Sequence, residues 1–272
     1  MLSRGGLYYT LQEGPPDRPP LVLLHGAGAD HLIWPAQLRR LPGQRVIALD
    51  LPGHGRSKGI ALQRVDALAG RILAFLDELE LHQATLVGHA LGGAVALSIA
   101  VNAPDRVSAL GLVASGAHLP VDRALMDPLA SPQLAALAVH AYLERAFSPT
   151  ASPALVAGAR RMLQRCRPSV LLADWQACAS FDLRAEIYRV TAPVWVACGD
   201  ADRIVPVSCA HFLTAQLPQA RLQRVSGAGH MLPLEQPEVL AEGLSRFLED
   251  ASERYLRLEL QVLHERNRVR RA

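Results

Sequence analysis

Short apolar runs alternate with longer stretches in which apolar residues recur every three or four positions. "LVLL" (21–24), "VIAL" (46–49), "TLVG" (85–88), "LGLVA" (110–114) and "VWVAC" (194–198) are brief, aliphatic and mostly bounded by Gly, Pro or Asp. Such runs predict strands buried on both faces, as in a mostly parallel sheet. Between them, Leu62, Val65, Leu68, Ala69, Ile72, Leu73, Leu76 and Leu79 predict a helix over 62–80 with one apolar face. A second helix is predicted over 91–101, closed by Asn102 and Pro104. Strand and helix in alternation give a doubly wound α/β architecture.

The alternation stops from about His118 to Arg189, where the chain is rich in Ala, Leu and Arg and punctuated by Pro128, Pro132, Pro149, Pro153 and Pro168. This pattern predicts several short helices and no strand. In an open parallel sheet, an insertion after a strand's carboxyl end lies over the ligand crevice. Residues 118–189 are therefore expected to form a helical cap on a core domain of residues 1–117 and 190–250, completed by a helix at about 236–249. The extension 251–272 is ambiguous. Leu256, Leu258, Leu260 and Val262 alternate with polar residues as in a strand, while Leu256, Leu260 and Leu263 share a helix face. It is expected to pack on the surface, with a homodimer contact as the other reading.

Composition narrows the function classes. Half of the 272 residues are hydrophobic and 19% are charged, enough for one large α/β domain with an insertion. A formal net charge of +3 argues for neither nucleic acid nor an anionic membrane as partner. No apolar run is long enough to span a bilayer, and "MLSRGGLYYT" lacks the apolar core of a secretory signal. Cys166, Cys178, Cys198 and Cys209 show no C-x-x-C pair and no nearby His at zinc spacing. They are expected to be buried free thiols in the reducing cytoplasm, with no metal bound.

The chemistry lies in turns that follow strands. "HGAGAD" (25–30) follows "LVLL", and its glycines let backbone N–H groups point into a cavity. In "LVGHALGG" (86–93), Gly88 and Gly92 flank Ala90 as in a strained strand-to-helix elbow, and the Leu91 N–H falls at a helix N-terminus suited to an anion. "CGDADRIVP" (198–206) supplies carboxylates, and "SGAGHMLPLEQPE" (226–238), after "ARLQRV", supplies His230. A nucleophilic hydroxyl needs a base beside it, and the base needs an anion to fix its tautomer.

With HGAG (25–28), DLPGHGRS (50–57), GHALGG (88–93), GDADRIVP (199–206) and GAGHMLPLEQPE (227–238) in this order, the chain resembles the α/β-hydrolase fold family over roughly residues 5–250. GH-x-LGG with HGAG is most similar to the serine esterase and lipase-like branch. The resemblance implies a nucleophile at position 90, an acid at Asp202 with Asp200 as second candidate, the base His230, and an oxyanion hole from the N–H groups of Ala27 and Leu91. It also implies a Ser-His-Asp acyl-enzyme mechanism and no metal or organic cofactor, and the Ala- and Leu-rich cap points to a small apolar ester as substrate.

The departure is Ala90, where the family pattern has serine. His25 is expected to hold its own glycine turn, and His54 and Asp50 to brace loops. His31, Trp34 and His118 are expected near the pocket rim as substrate contacts. The intact acid, base and elbow glycines favour a serine-to-alanine substitution that inactivates an ester hydrolase. The alternatives are a lactonase, a natural member that binds a small molecule, or a lyase with His230 as base.

Overall fold

The computed structural model describes residues 2–122, 126–131, 134–217 and 219–251. Its strands are β1 (Leu2–Arg4), β2 (Leu7–Gln12), β3 (Leu21–Leu24), β4 (Val46–Leu49), β5 (Ala84–His89), β6 (Val107–Val113), β7 (Val194–Gly199) and β8 (Ala220–Val225), in one sheet of order β1-β2-β4-β3-β5-β6-β7-β8. The six strands from β3 to β8 run parallel, while β1 and β2 form an antiparallel hairpin on β4. Apolar periodicity does not isolate that hairpin. It turns on Gly5 and Gly6, both at positive φ (50° and 84°), a backbone that glycine adopts without cost. β8 is an edge strand carrying Arg221, Gln223 and Arg224, charged as edges commonly are, and this polarity hides it from an apolar scan.

The helices are α1 (Ala36–Arg39), α2 (Val65–Glu78), α3 (Leu91–Asn102), α4 (Ala135–Ala146), α5 (Pro153–Arg165), α6 (Pro168–Ser180), α7 (Val207–Gln216), α8 (Leu232–Glu235) and α9 (237–251). The amphipathic stretch expected over 62–80 is α2, trimmed at both ends. α3 is buried at every residue from Leu91 to Val101, because it lies against β5 and β6 and is covered by α2. Its sequence is correspondingly apolar on all sides. α4, α5 and α6 fill the chain between β6 and β7, and a single antiparallel bridge from His118 to Asp182 ties the start of that segment to its end.

The topology places the site. β3 is followed in sequence by β4 on one side and has β5 on the other, so the crevice at the carboxyl ends opens between β3 and β5. Leu24 pairs with Gly88, which sets the HGAG turn beside the elbow. β7 and β8 are likewise neighbours, and their following turns carry Asp202 and His230. Among the described residues, no helix is long and apolar enough to cross a membrane. The extension expected at 251–272 lies outside the described residues beyond its first position.

Candidate active site

Ala90 joins β5 to α3 with φ 47° and ψ −110°, outside the helical and extended regions open to ordinary residues. Its N–H donates to the Val113 carbonyl (2.9 Å), and its own carbonyl accepts from the Ser115 hydroxyl (2.9 Å). The flanking glycines are sterically required. A Cβ on Gly88 would lie 2.1 Å from the Gly92 carbonyl group, and one on Gly92 would lie 2.3 Å from the Leu24 carbonyl oxygen. α3 can start this close to β3 and β5 only without those side chains.

His230 and Asp202, one strand apart in the sheet, meet through Nδ1–H donating to Oδ2 at 2.9 Å, and both side chains are almost wholly buried. The other Asp202 oxygen accepts from the Ile204 and Val205 N–H groups, each at 2.8 Å. The carboxylate is thus fixed by its own turn, and the imidazole is oriented with Nε2 as its remaining polar atom. Asp200, the second candidate, instead accepts from the Gly227 N–H (2.7 Å) and lies near Arg224, so it braces the loop that carries His230.

His89 supports the same histidine from behind. Its Nε2–H donates to the His230 carbonyl (2.9 Å), and the two rings lie 5.0 Å apart. Burial, and secondarily the neighbouring imidazole of His230, push the His89 pKa down to about 3, so the ring is neutral. A Cβ at Gly26 would lie 2.6 Å from its Nδ1, which ties the first turn to the elbow.

The HGAG turn is held from two directions. The Leu51 N–H donates to His25 Nε2 (2.9 Å), and His25 Nδ1–H donates to the Gly26 carbonyl (2.8 Å). Burial, reinforced by nearby His54, lowers the His25 pKa to about 4 and keeps this ring neutral as well. From the α6 side, buried Asp174 accepts from the Gly28 N–H (2.8 Å) and from His54 Nε2 (2.8 Å). Burial disfavours a charged His54 ring, yet the Asp174 carboxylate outweighs it and raises the pKa. Neither the Ala27 N–H nor the Leu91 N–H has a protein acceptor among the described residues.

Ala27, Ala90, Leu91, Tyr142, Trp175 and His230 share the wall of one cavity of about 450 Å³. The structure therefore brings together all five residues expected to form the catalytic group and oxyanion hole. It does not bring the three expected substrate contacts there. His31 is turned away and donates from both its N–H and Nδ1–H to Asp50 Oδ1 (2.8 and 2.7 Å), lining a different cavity. Trp34 is fully buried, edge-on to His89. His118 is in the bridge to Asp182. Proximity to a motif in sequence did not reveal which side of the sheet each ring would face.

Asp174 and Tyr142 went unnoticed in the sequence, because a lone acid or tyrosine in an Ala- and Leu-rich segment carries no pattern. Asp30, His31 and Asp50 are the one group of potential metal ligands among the described residues. Their polar atoms are engaged internally, Asp50 by His31 and the Arg56 N–H, and Asp30 by the Leu32 N–H and Arg165. All four cysteines are free thiols; Cys166 is partly exposed, against the expectation that all would be buried.

An elbow, an Asp–His pair and a glycine turn thus assemble at the carboxyl ends of the parallel strands, and residues 19–237 match the family of the alpha/beta hydrolase fold. The chain belongs to the α/β-hydrolase fold family. A pimeloyl-[acyl-carrier protein] methyl ester esterase of Aromatoleum aromaticum is 35% identical over 256 residues, 85% of this chain and 99% of that protein. The dihydrolipoyllysine-residue acetyltransferase component of an acetoin cleaving system from Pseudomonas putida is 35% identical over 246 residues. That match takes in 84% of this α/β-hydrolase but spans only 63% of the Pseudomonas putida protein. Among solved structures, a hydrolase from Pseudomonas aeruginosa has a TM-score of 0.80 and 29% identity, over 89% of this chain and 94% of that one.

Proposed function

We propose that this α/β-hydrolase is built to cleave carboxylic esters through a Ser-His-Asp acyl-enzyme mechanism and is inactivated by a serine-to-alanine substitution at Ala90. One observation carries the reading: a non-glycine residue is held at φ 47° on the wall of a cavity that is also lined by His230, itself paired with buried Asp202. Such a backbone costs about 1–2 kcal/mol, and strain of this kind clusters where geometry serves chemistry. The names borne by the esterase and hydrolase relatives support it.

With serine at position 90, His230 Nε2 takes the hydroxyl proton as Oγ attacks the ester carbonyl. Asp202 holds Nδ1–H and stabilises the imidazolium. The N–H groups of Ala27 and Leu91 receive the oxyanion. The imidazolium then protonates the departing alcohol. Water, deprotonated by the same nitrogen, releases the acid and regenerates the hydroxyl. With alanine there is no oxygen to attack, and the cavity, acid and base remain.

The experiment is Ala90→Ser assayed on short- and medium-chain nitrophenyl esters and lactones. The reading expects turnover at least about 10⁴-fold above the Ala90 chain, lost again in Ala90→Ser/His230→Ala. A faster lactone than ester rate would move the assignment to a lactonase. Inertness on every substrate would overturn the hydrolase reading. A second reading rests on Ala90 itself, since the Asp202–His230 pair remains a general base without a nucleophile. Cleavage of cyanohydrins by the Ala90 chain, lost on His230→Ala, would favour a lyase.

A further inference from the structure

The cavity wall is apolar around the reacting atoms, with Leu91, Leu119, Val121, Trp175, Ile204 and Val205 facing it. Three charged side chains line the same cavity: Asp122, Arg145 and Arg203. Arg145 and Asp122 pair at 2.7 Å, and each is nearly half exposed, so they sit toward solvent and largely cancel. Arg203 is different. It follows Asp202 directly, its guanidinium donates to the Glu144 carbonyl at the end of α4, and no described carboxylate pairs with it. Its pairing neighbour in sequence, Asp202, is fully committed to His230 and to its own turn. The cavity thus has an apolar body and a net cation among its exposed lining residues.

An apolar pocket takes its specificity from the few polar groups in its wall. A guanidinium is the donor that best matches a carboxylate, through paired N–H bonds. A purely apolar substrate would leave the Arg203 charge in the cavity wall without a counter-ion. We infer that the substrate is an ester carrying a carboxylate at the end remote from the scissile bond, a half-ester of a dicarboxylic acid, with Arg203 as the residue that reads the charge. This deepens the ester-hydrolase reading and rests on it for turnover, but not for binding.

Two arms separate the inferences. In the first, the Ala90 chain is titrated with monomethyl glutarate, adipate and suberate, and with methyl pentanoate, hexanoate and octanoate, following the fluorescence of Trp175 and its neighbours. The half-esters are expected to bind about tenfold or more tightly than the neutral esters, the factor a charge-assisted hydrogen bond carries. The advantage should shrink with added salt. Arg203→Gln should bring the ratio close to one, whereas Arg221→Gln, a control on the far edge strand paired with Asp250, should leave it in place. Equal binding of charged and neutral esters, or a preference that survives Arg203→Gln, would overturn the inference. In the second arm, Ala90→Ser is assayed on the same pairs, and kcat/KM should show the same preference, carried mostly in KM. An inert Ala90→Ser chain that still prefers half-esters in the first arm would sink the hydrolase reading alone. A chain that hydrolyses neutral and charged esters equally would sink the charge preference alone.

Discussion

Gly92 shows how a single missing side chain can fix a site. A Cβ there would meet two backbone carbonyl oxygens, of Leu24 and His25, at 2.3 and 2.6 Å, and backbone has no rotamer with which to move aside. Gly92→Ala is therefore expected to lose about 3 kcal/mol or more in urea unfolding. Gly70 is the contrast, a glycine inside α2 with open space around its Cβ position. Gly70→Ala should gain about 0.5–1 kcal/mol from helix propensity alone. A Gly92→Ala chain within about 1 kcal/mol of the parent would contradict the close approach of α3 to β3. At this scale the sequence was highly legible, because strained turns demand glycine and announce themselves. Asp202 and His230 were readable for the same reason, each set in a Gly-containing turn after a strand. His89 was not, since its bond to the His230 carbonyl joins residues 141 positions apart.

At the scale of elements, Asp174 links α6 to both turns that flank the site. One oxygen receives Gly28 N–H and His54 Nε2, while Oδ1 has no partner among the described residues. Asp174→Ala would leave the His54 ring and a glycine N–H buried without an acceptor, at a cost of about 3–5 kcal/mol. Asp174→Asn keeps an acceptor for Gly28 but removes the charge, and should cost less. Thermal or urea unfolding of both variants checks the order, and an Asp174→Asn chain as stable as the parent would contradict a charged His54–Asp174 pair. None of this could be read from periodicity, which gives the faces of helices but not which acid reaches across to another element. The strands followed the apolar runs closely because parallel strands buried on both faces leave no polar residue to blur the signal. The β1–β2 hairpin escaped for the converse reason, with exposed or half-exposed positions at one side of the sheet, and the charged edge strand β8 showed only as the stretch before the His230 turn.

For the whole molecule, the buried histidines set a pH limit. His25 and His89 are neutral in the folded chain, with pKa values near 4 and 3 against 6.5 when exposed. Below 6.5 the unfolded chain takes up protons that the folded chain refuses, so each histidine weakens folding about tenfold per pH unit until its folded pKa is reached. His54 has the opposite sign. Its pKa is raised, so its contribution is complete below 6.5 and is lost only as pH rises through the raised value. Between 6.5 and about 4 the His54 contribution is therefore constant while the two neutral rings increasingly oppose folding, and stability should fall steeply on acidification. Urea midpoints measured at about pH 7 and about pH 5 check this, and an unchanged midpoint would mean that these rings are not buried neutral.

The central claim is that position 90 is the nucleophile position of a site complete in every other part. Its most direct measurement is intact-mass analysis of Ala90→Ser after exposure to a fluorophosphonate, with peptide mapping of the adduct. The account predicts one stoichiometric phosphonyl group on residue 90, absent from the Ala90 chain and from Ala90→Ser/His230→Ala. A folded Ala90→Ser chain that stays unlabelled, or one labelled equally well without His230, would contradict it.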